Sequence, residues 1–361
     1  MRLLSPLLKR VVYPTLSKIG YLEHYAGREQ LSVVTYHGVL PAGYTVKDRK
    51  LDGSWVTPDM FRRQLRWLRS HSNVVAPAEV RIWCKGQGSL PPRAVLLTCD
   101  DGLANTVTDM LPILEEERLS CLFFVTSRSL MEEPSMLWYE ELYLTLLDVP
   151  EGVFEGTFCG VPVKTHLNSS LSQRQAYWYG MIEMLSKYDT QARLGFARAV
   201  RAQFGFPEDW SVQHLKRGAS RFRLLALSEI KRLLASGMEI GSHTISHPKL
   251  SRLPAESSWR EIAESRSDLE KALGVPVWAI AYPFGGTDSV STRETQMAER
   301  AGYDCAFMNC GGAFGIDTPR FGIPRVHISL DTTVYEFEAH LSGLHEKLRR
   351  RFGRTEQIPA A

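Results

Sequence analysis

Short apolar segments alternate along much of the chain with longer amphipathic segments. The apolar segments lie at residues 31–36, 94–98, 121–125, 238–242, 277–282 and 305–308. They are rich in β-branched and aromatic residues, as buried strands are. The intervening segments place apolar side chains three or four positions apart, which is typical of a helix with one buried face. Repeated strand–helix units predict a parallel sheet, either open or closed into a barrel.

Several of the predicted helices have recognisable ends. Thr57 followed by Pro58 predicts an N-cap and the first position of a helix. Ser228 is the predicted cap of a helix that ends at Gly237, and Gly274 ends another, because glycine readily adopts the left-handed conformation at a helix terminus. Further helices are predicted at residues 105–118 and 291–301.

One long stretch interrupts the alternation. Residues from about 132 to 222 combine helical patterns with many aromatic residues and a middle rich in glycine, proline and valine. We interpret the stretch as a mostly helical insertion whose aromatic residues form its own core; a role in shaping a substrate cleft is the alternative. The predicted organisation is an N-terminal basic amphipathic segment (1–30), a barrel (31–340) that contains the insertion, and a basic C-terminal helix or tail (341–361).

Composition and charge narrow the possible classes. The length of 361 residues accommodates two domains or one elaborated α/β barrel. With 44% hydrophobic and 23% charged residues, the chain resembles an average globular protein, which excludes disordered, collagenous and polytopic membrane proteins. The net charge of +3 gives no support for nucleic-acid binding. Six cysteines without a CxxC pair predict reduced, buried thiols.

Both ends of the chain are basic. Pro6, Lys9, Arg10 and Pro14 interrupt the apolar N-terminal segment, so it lacks the continuous apolar region of a secretory signal. No stretch approaches the ~20 apolar residues of a membrane-spanning helix. We therefore expect a cytoplasmic protein. The amphipathic N-terminal segment and the basic run at 345–354 predict peripheral contact with an anionic membrane, with ordinary solvated surfaces as the alternative.

Two polar motifs directly follow predicted strands. TCDDG contains Asp100 and Asp101, and GSHTISH contains His243 and His247. The carboxyl ends of parallel strands lie on one face, where α/β proteins build their sites. A spacing of four places both imidazoles on one side of a helical turn. Two imidazoles and a carboxylate suit a catalytic metal ion, so the motifs together predict a metal site with a second carboxylate beside it.

At this point the sequence resembles the polysaccharide deacetylases with a NodB-homology domain, carbohydrate esterase family 4. TCDDG is similar to the family motif TFDDG, with Cys99 in place of phenylalanine, and HTISH is similar to H-[ST]-x-x-H. The motif YHGV, which begins at Tyr36, resembles a strand of the longer family members. The aromatic-Pro-aromatic-Gly motif is matched by Tyr282, Pro283, Phe284 and Gly285. The resemblance implies a distorted (β/α) barrel of the NodB type with a large, mostly helical insertion.

The resemblance also implies roles for individual residues. Asp100 resembles the general base that activates a metal-bound water, and Asp101, His243 and His247 resemble the ligands of one divalent ion. Zinc is the expected metal, with cobalt, nickel or manganese as alternatives. The metal polarises the acyl carbonyl, and main-chain N–H groups near Phe284 would hold the developing oxyanion. The aromatic-Pro-aromatic-Gly motif, residues 282–285, is expected to bind substrate.

The chain departs from the family pattern in two places. Ala281 stands where simple members carry an arginine that orients the base. Arg325, in IPRVH, is the candidate replacement, because a guanidinium group can hold a carboxylate in one plane; a structural salt bridge is the alternative. The general acid is either His37 or His327, and we favour His37 because YHGV matches the family strand.

These observations predict a metal-dependent hydrolase that removes an acetyl or formyl group from an amino sugar. The substrate is a glycan, a glycan precursor or a lipid-linked sugar, as in the biosynthesis of a cell-envelope glycan. The basic chain ends and the insertion favour a precursor or lipid-linked sugar. The alternative is a catalytically silent carbohydrate-binding relative, suggested by the missing arginine. A two-metal phosphoesterase would need more ligands than the sequence shows.

Overall fold

The computed structural model describes residues 5–22, 31–46, 48–131, 134–216, 220–311, 318–345 and 347–348. The strands are β1 (Ser32–Tyr36), β2 (Asn73–Val74), β3 (Ala94–Cys99), β4 (Leu122–Val125), β5 (Gly152–Phe158), β6 (Val161–Leu167), β7 (Glu239–Ser242), β8 (Ala279–Ala281), β9 (Cys305–Met308), β10 (Ile323–Pro324) and β11 (Val326–His327). The α-helices are α1 (Ser5–Leu7), α2 (Tyr13–Lys18), α3 (Arg49–Asp52), α4 (Pro58–His71), α5 (Pro77–Cys84), α6 (Leu111–Glu117), α7 (Trp138–Asp148), α8 (Leu171–Leu185), α9 (Thr190–Gln203), α10 (Trp210–Lys216), α11 (Leu227–Ala235), α12 (Ala255–Leu273), α13 (Thr292–Arg300) and α14 (Val334–Leu341).

One short segment closes the main sheet. All its strand pairs are parallel, in the order β10-β9-β8-β7-β4-β3-β1-β11, with β2 beside β3. Arg325 alone separates β10 from β11. Ile323 pairs with Phe307 of β9, whereas Val326 pairs with Val34 of β1. The same segment therefore joins both ends of the sheet into a nearly closed barrel, and the predicted fold class is confirmed.

Side chains of the barrel strands alternate between two hydrophobic clusters. Leu96 of β3 packs inside the barrel with Val33 and Phe124. Its neighbour Leu97 packs outward against the layer of helices, in a cluster that includes Phe61 of α4. Successive side chains of a strand point to opposite faces. Alternate residues of each strand therefore enter the interior of the barrel, and the residues between them face the helices.

The ends of the helices agree with the sequence in part. Thr57 caps α4, because its hydroxyl oxygen accepts the N–H of Met60 at 3.3 Å. The helix predicted from Ser228 begins earlier, as α11, and its cap is Ala226, whose N–H donates to the carboxylate of Glu229 at 2.8 Å. The helix predicted at 105–118 starts with a π-helical turn, Thr106–Met110, and continues as α6.

The insertion contains a β-hairpin that the sequence pattern did not reveal. β5 and β6 pair antiparallel between α7 and α8, within the segment predicted to be mostly helical. Phe154 and Phe158 are the buried residues of β5 and pack against Phe196 of α9. A spacing of four places two side chains on one face of a helix and also of a strand, so it could not distinguish the two. Cys159, in the hairpin turn, is exposed, contrary to the expectation of buried thiols.

The N-terminal helical segment packs against α14. Tyr13 is buried in a cluster with Ala339 and Leu344, and the ammonium group of Lys9 lies 2.9 Å from the carboxylate of Glu336. None of the described helices combines the length and the apolar character that a bilayer-spanning segment requires. Residues 1–4 and 349–361, which belong to the predicted basic ends, lie outside the described residues.

Candidate active site

The inward-facing side chains of the barrel become polar at the carboxyl ends of the strands. Thr98, two positions after Leu96, accepts a hydrogen bond from a guanidinium nitrogen of Arg325 at 3.3 Å. It also lies 2.9 Å from the hydroxyl of Thr35. The next inward-facing position of each strand is also polar. These positions form a layer that lines one cavity and consists of His37, Asp100, His243, Asn309 and His327. Strand parity thus explains why residues from distant motifs meet.

Asp100 and Arg325 form a two-pronged ion pair inside the barrel. The two guanidinium nitrogens Nη1 and Nη2 donate to the two carboxylate oxygens at 2.7 and 2.6 Å. Arg325 is 0% and Asp100 1% exposed. Burial alone would raise the pKa of Asp100, but the charge and hydrogen bonds of Arg325, together with the nearby histidines, outweigh it, and the pKa is lowered. The geometry therefore holds an ionised carboxylate in a fixed plane, as the bidentate pairing of these groups does.

Asp101, His243 and His247 lie together beside this pair. Oδ1 of Asp101 is 3.4 Å from Nε2 of His243 and 3.3 Å from Nε2 of His247. Nδ1 of His243 lies 2.7 Å from the carbonyl oxygen of Ala281, which can only accept, so Nδ1 carries a proton and the ring is oriented with Nε2 towards Asp101. Burial opposes ionisation of Asp101, yet the two histidines hold its pKa well below the usual range. Burial lowers the pKa of His247.

The two histidines converge through a turn and not through a helix, which corrects the expected local structure. Thr244 and His247 both have left-handed backbone angles, with φ of 66° and 57°. The carboxylate of Glu261, on α12, accepts the N–H groups of Ile245 and Ser246 at 2.9 Å each. The anchored turn brings the rings of His243 and His247 to a centroid distance of 4.9 Å.

Backbone strain is concentrated at this site. Asp101 and Phe284 also have positive φ angles, of 75° and 61°. Together with Thr244 and His247 they are four of the seven described non-glycine residues with this conformation. Residues other than glycine rarely adopt a positive φ angle. Such angles persist where the surrounding structure enforces a functional arrangement.

The aromatic-Pro-aromatic-Gly motif presents one aromatic side chain to the cavity. Phe284 lines it and packs against His247 at a centroid distance of 4.9 Å. Tyr282 is fully buried and its hydroxyl donates to the carbonyl of Phe321, so its side chain does not face a substrate as expected. Pro283 is buried, and its carbonyl accepts the N–H of Gly285 at 2.7 Å. A Cβ on Gly285, at φ 63°, would lie 2.5 Å from the backbone nitrogen of Asn309.

The structure brings both candidate general acids to the same place. The rings of His37 and His327 lie edge to face at a centroid distance of 4.9 Å, and both line the cavity. Nδ1 of His37 is buried without a hydrogen-bond partner among the described residues. Both rings therefore border the cavity that Asp100 also lines.

The cavity has a volume of about 520 Å³, and the insertion forms one of its walls. This wall includes residues with no recognisable motif, namely Tyr139, Glu140, Trp178, Tyr179, Ile182 and Glu183. Trp55 and Asn309, to which the sequence assigned no role, line it as well. Strand parity beyond Phe307 could have indicated Asn309, whereas no periodic signal indicated the wall. The aromatics of the insertion thus divide: Tyr143 belongs to its core, while Tyr139 and Tyr179 face the cavity.

Comparison with known sequences supports the motif assignment. The family model described as polysaccharide deacetylase matches residues 180–306, which include HTISH and the aromatic-Pro-aromatic-Gly motif. A putative polysaccharide deacetylase of Bacillus subtilis is 25% identical over 120 residues, 33% of this chain and 42% of that protein. A gellan lyase of a Bacillus species is 34% identical over 105 residues, 28% of this chain. The chain thus spans less than half of the first relative and 4% of the second.

Solved structures share the fold over most of the chain. The Streptococcus pyogenes deacetylase PplD in complex with acetate has a TM-score of 0.55 and 16% identity, covering 87% of this chain and 99% of its own. IcaB from Ammonifex degensii has a TM-score of 0.53 and 18% identity, and the match covers 88% of this chain and 98% of its own. A polysaccharide deacetylase from Bacillus cereus has a TM-score of 0.51 and 18% identity, and the match covers 87% of this chain and 69% of its own. The predicted resemblance to the polysaccharide deacetylases, with their NodB-type barrel, is therefore confirmed.

Proposed function

We propose that this protein is a metal-dependent hydrolase that removes an acetyl or formyl group from the nitrogen of an amino sugar. One observation carries the proposal. The Asp100 carboxylate, held in a fixed plane by Arg325, lines the same cavity as Asp101, His243 and His247. A general base beside a set of metal ligands is the arrangement that metal-assisted hydrolysis requires.

The donor set fits one divalent cation. The candidate ligand atoms of Asp101, His243 and His247 all lie within 4.8 Å of one another and are buried. Oδ1 of Asp101 has no hydrogen-bond partner among the described residues, an arrangement that a cation would complete. One carboxylate and two imidazoles suit zinc, with cobalt, nickel or manganese as alternatives. When bound, the cation supplies Lewis acidity, which polarises the acyl carbonyl and acidifies a water.

The protein's own groups perform the proton transfers. Asp100 accepts a proton from the attacking water, since each of its oxygens retains a lone pair beyond its bond to Arg325. The N–H of Phe284, for which the described residues provide no backbone acceptor, is the proposed donor to the developing oxyanion. The leaving amine takes a proton from His37 or His327 at the cavity wall.

Replacing His243 by alanine tests the metal site. We expect His243→Ala to weaken zinc binding more than about 100-fold, because even removal of a partner outside the ligand set typically costs 10–100-fold. Zinc content after equilibrium dialysis and acetate release are the measurements. His166→Ala, on the exposed hairpin, is the matched control and should retain both. Full zinc content in His243→Ala would contradict the assigned ligand set.

Release of acetate or formate from amino sugars tests the reaction itself. We expect turnover of N-acylated amino sugars by the zinc-loaded protein and none by the protein treated with a chelator. Zinc binding without turnover of any acylated amino sugar would instead favour the carbohydrate-binding alternative.

We propose further that the substrate is held at a membrane surface, as a lipid-linked sugar is. The N-terminal segment buries one side against α14 and exposes Leu7, Val11 and Ile19, which are 52%, 52% and 67% exposed. Arg10 and Lys18 lie on this exposed side and form no ion pair among the described residues. An apolar strip flanked by exposed cations suits the interface of an anionic bilayer.

A series of contacts links the N-terminal segment to the wall of the cavity. Lys9 binds Glu336 in the first turn of α14. The loop before α14 contacts the cavity wall, because the N–H of Leu330 donates to the carbonyl of Gly53 at 2.9 Å. Trp55, two residues further on, lines the cavity. The N-terminal segment is thus connected through α14 and its preceding loop to the wall of the cavity.

Vesicle binding tests the membrane contact. We expect cosedimentation with vesicles that contain phosphatidylglycerol, weakened by salt because exposed charges are screened, and little with pure phosphatidylcholine. Leu7→Ser/Val11→Ser/Ile19→Ser should lose this binding while zinc content stays unchanged. Val153→Ser/Val161→Ser, exposed on the hairpin, is the matched control. Equal losses in both variants would contradict a specific N-terminal surface.

A further inference from the structure

Glu140 is a buried carboxyl group that the reaction proposed above does not use. It lies in the first turn of α7, in the wall that the insertion contributes to the cavity. Two contacts hold this turn against the metal-ligand set. The indole N–H of Trp138 donates to the carbonyl of His247 at 2.9 Å. The ring of Tyr139 packs on the ring of His247 at 5.2 Å. Glu140 is therefore fixed beside the reacting groups.

The carboxyl group of Glu140 lacks the partners that its burial requires. Glu140 is 4% exposed, and its Oε2 has no hydrogen-bond partner among the described residues. The nearby Arg221 is not a hydrogen-bond partner either: its Nη2 lies 2.7 Å from the carboxylate of Asp52, and its Nε and Nη1 form no hydrogen bond among the described residues. Buried polar groups are almost always paired, so an unpaired one that faces a cavity indicates a ligand.

The next residue along the helix provides the contrast. Glu141 is 6% exposed, which is similarly buried. Its Oε1 lies 2.9 Å from Nη2 of Arg201 and accepts the hydroxyl of Ser211 at 2.7 Å. Glu141 does not line the cavity. Glu141 thus has a structural role, whereas the carboxyl group of Glu140 remains available to a ligand in the cavity.

The surroundings indicate the chemistry of that partner. Aromatic rings of Tyr139, Trp178 and Tyr179 line the same wall as Glu140. Aromatic rings offer a flat apolar surface, while a carboxyl group takes hydrogen bonds from hydroxyl groups. A sugar ring has both an apolar face and hydroxyl groups at its edge. We propose that Glu140 is a substrate-binding residue whose carboxyl group hydrogen-bonds a ring hydroxyl of the amino sugar and so selects the substrate. This proposal rests on the proposed function.

Two substitutions of Glu140 and two of Glu141 separate recognition from stability. Glu140→Met removes the polar group and keeps the volume, whereas Glu140→Gln keeps hydrogen bonding. We expect Glu140→Met to raise KM for N-acetylglucosamine about ten-fold, the size of one lost hydrogen bond. Its Tm should rise, because an unpaired buried carboxyl is removed. Glu140→Gln should keep KM within a few-fold. Glu141→Met and Glu141→Gln should lower Tm and leave KM unchanged.

Monodeoxy analogues of N-acetylglucosamine identify the contact itself. A site built to bind a hydroxyl rejects the analogue that lacks it, so the wild-type protein should disfavour one analogue and Glu140→Met should lose that preference. Unchanged KM and unchanged preference in Glu140→Met would overturn the proposal while turnover by the wild type upheld the function. Failure of the wild type to bind or hydrolyse any amino sugar would overturn the proposed function and this proposal with it.

Discussion

Replacing Asp100 by asparagine is expected to abolish turnover while the metal site remains intact. Asparagine has nearly the same shape as aspartate but cannot accept the proton of the attacking water. Loss of a general base typically costs 10²–10⁴-fold in rate. Asp101, His243 and His247 keep their positions in the variant, so its zinc content should match that of the wild type. Acetate release and zinc content, measured on the same preparation, provide the test.

Destabilisation of Asp100→Asn has to be separated from its catalytic effect. The substitution leaves the charge of Arg325 buried without its carboxylate, and breaking a buried pair from one side costs about 3–5 kcal/mol. The double variant Asp100→Asn/Arg325→Met removes both charges, and replacement of a buried pair by apolar groups is often neutral. We expect the double variant to be more stable than Asp100→Asn and equally inactive. Near-normal activity in either variant would mean that another group is the base.

Replacing Arg325 by lysine is expected to have the second largest effect. Lysine keeps the charge but cannot hold both oxygens of Asp100 in one plane. A displacement of the base by about 1 Å can cost on the order of 10²-fold in rate. The loss should appear in kcat, with KM for the sugar and zinc content little changed. Steady-state kinetics on the zinc-loaded variant give this separation.

Two controls distinguish positioning of the base from general stability. Arg201→Lys weakens another buried ion pair, to Glu141 in the insertion, and should lower Tm without lowering kcat. Introduced into Asp100→Asn, the change Arg325→Lys should add little further loss of activity, because residues that act through one another are not additive. If Arg325→Lys left kcat unchanged, the pair would be structural and the arginine missing at Ala281 would have no replacement here.

The strand pattern predicted much of the site because polar residues at the carboxyl ends of parallel strands meet in one cavity. Asp100 and His243 directly follow the last residues of β3 and β7, and their side chains point into the same cavity. The same rule applied to Phe307 would have indicated Asn309. Asn309 belongs to no recognisable motif, so only the alternation of side chains along β9 could have indicated it.

Local conformation was less predictable than position. The spacing of His243 and His247 fits a helical turn, but the chain forms a turn with left-handed residues that Glu261 anchors from α12. The spacing of Phe154 and Phe158 fits a helix and a strand equally well. In both cases the deciding contacts come from elsewhere in the fold, and a pattern within one segment cannot contain them.

The sequence by itself determined six of the barrel strands, their order in the chain and the polar residues at their carboxyl ends. These features follow from burial with a period of two, which is local. Only the tertiary structure decided that Arg325 meets Asp100, 225 positions away, through the segment that closes the barrel. It also decided that Tyr139 and Glu140 form a cavity wall. An insertion with its own hydrophobic core docks by the shape of that core, and no periodic signal along the chain encodes where it docks.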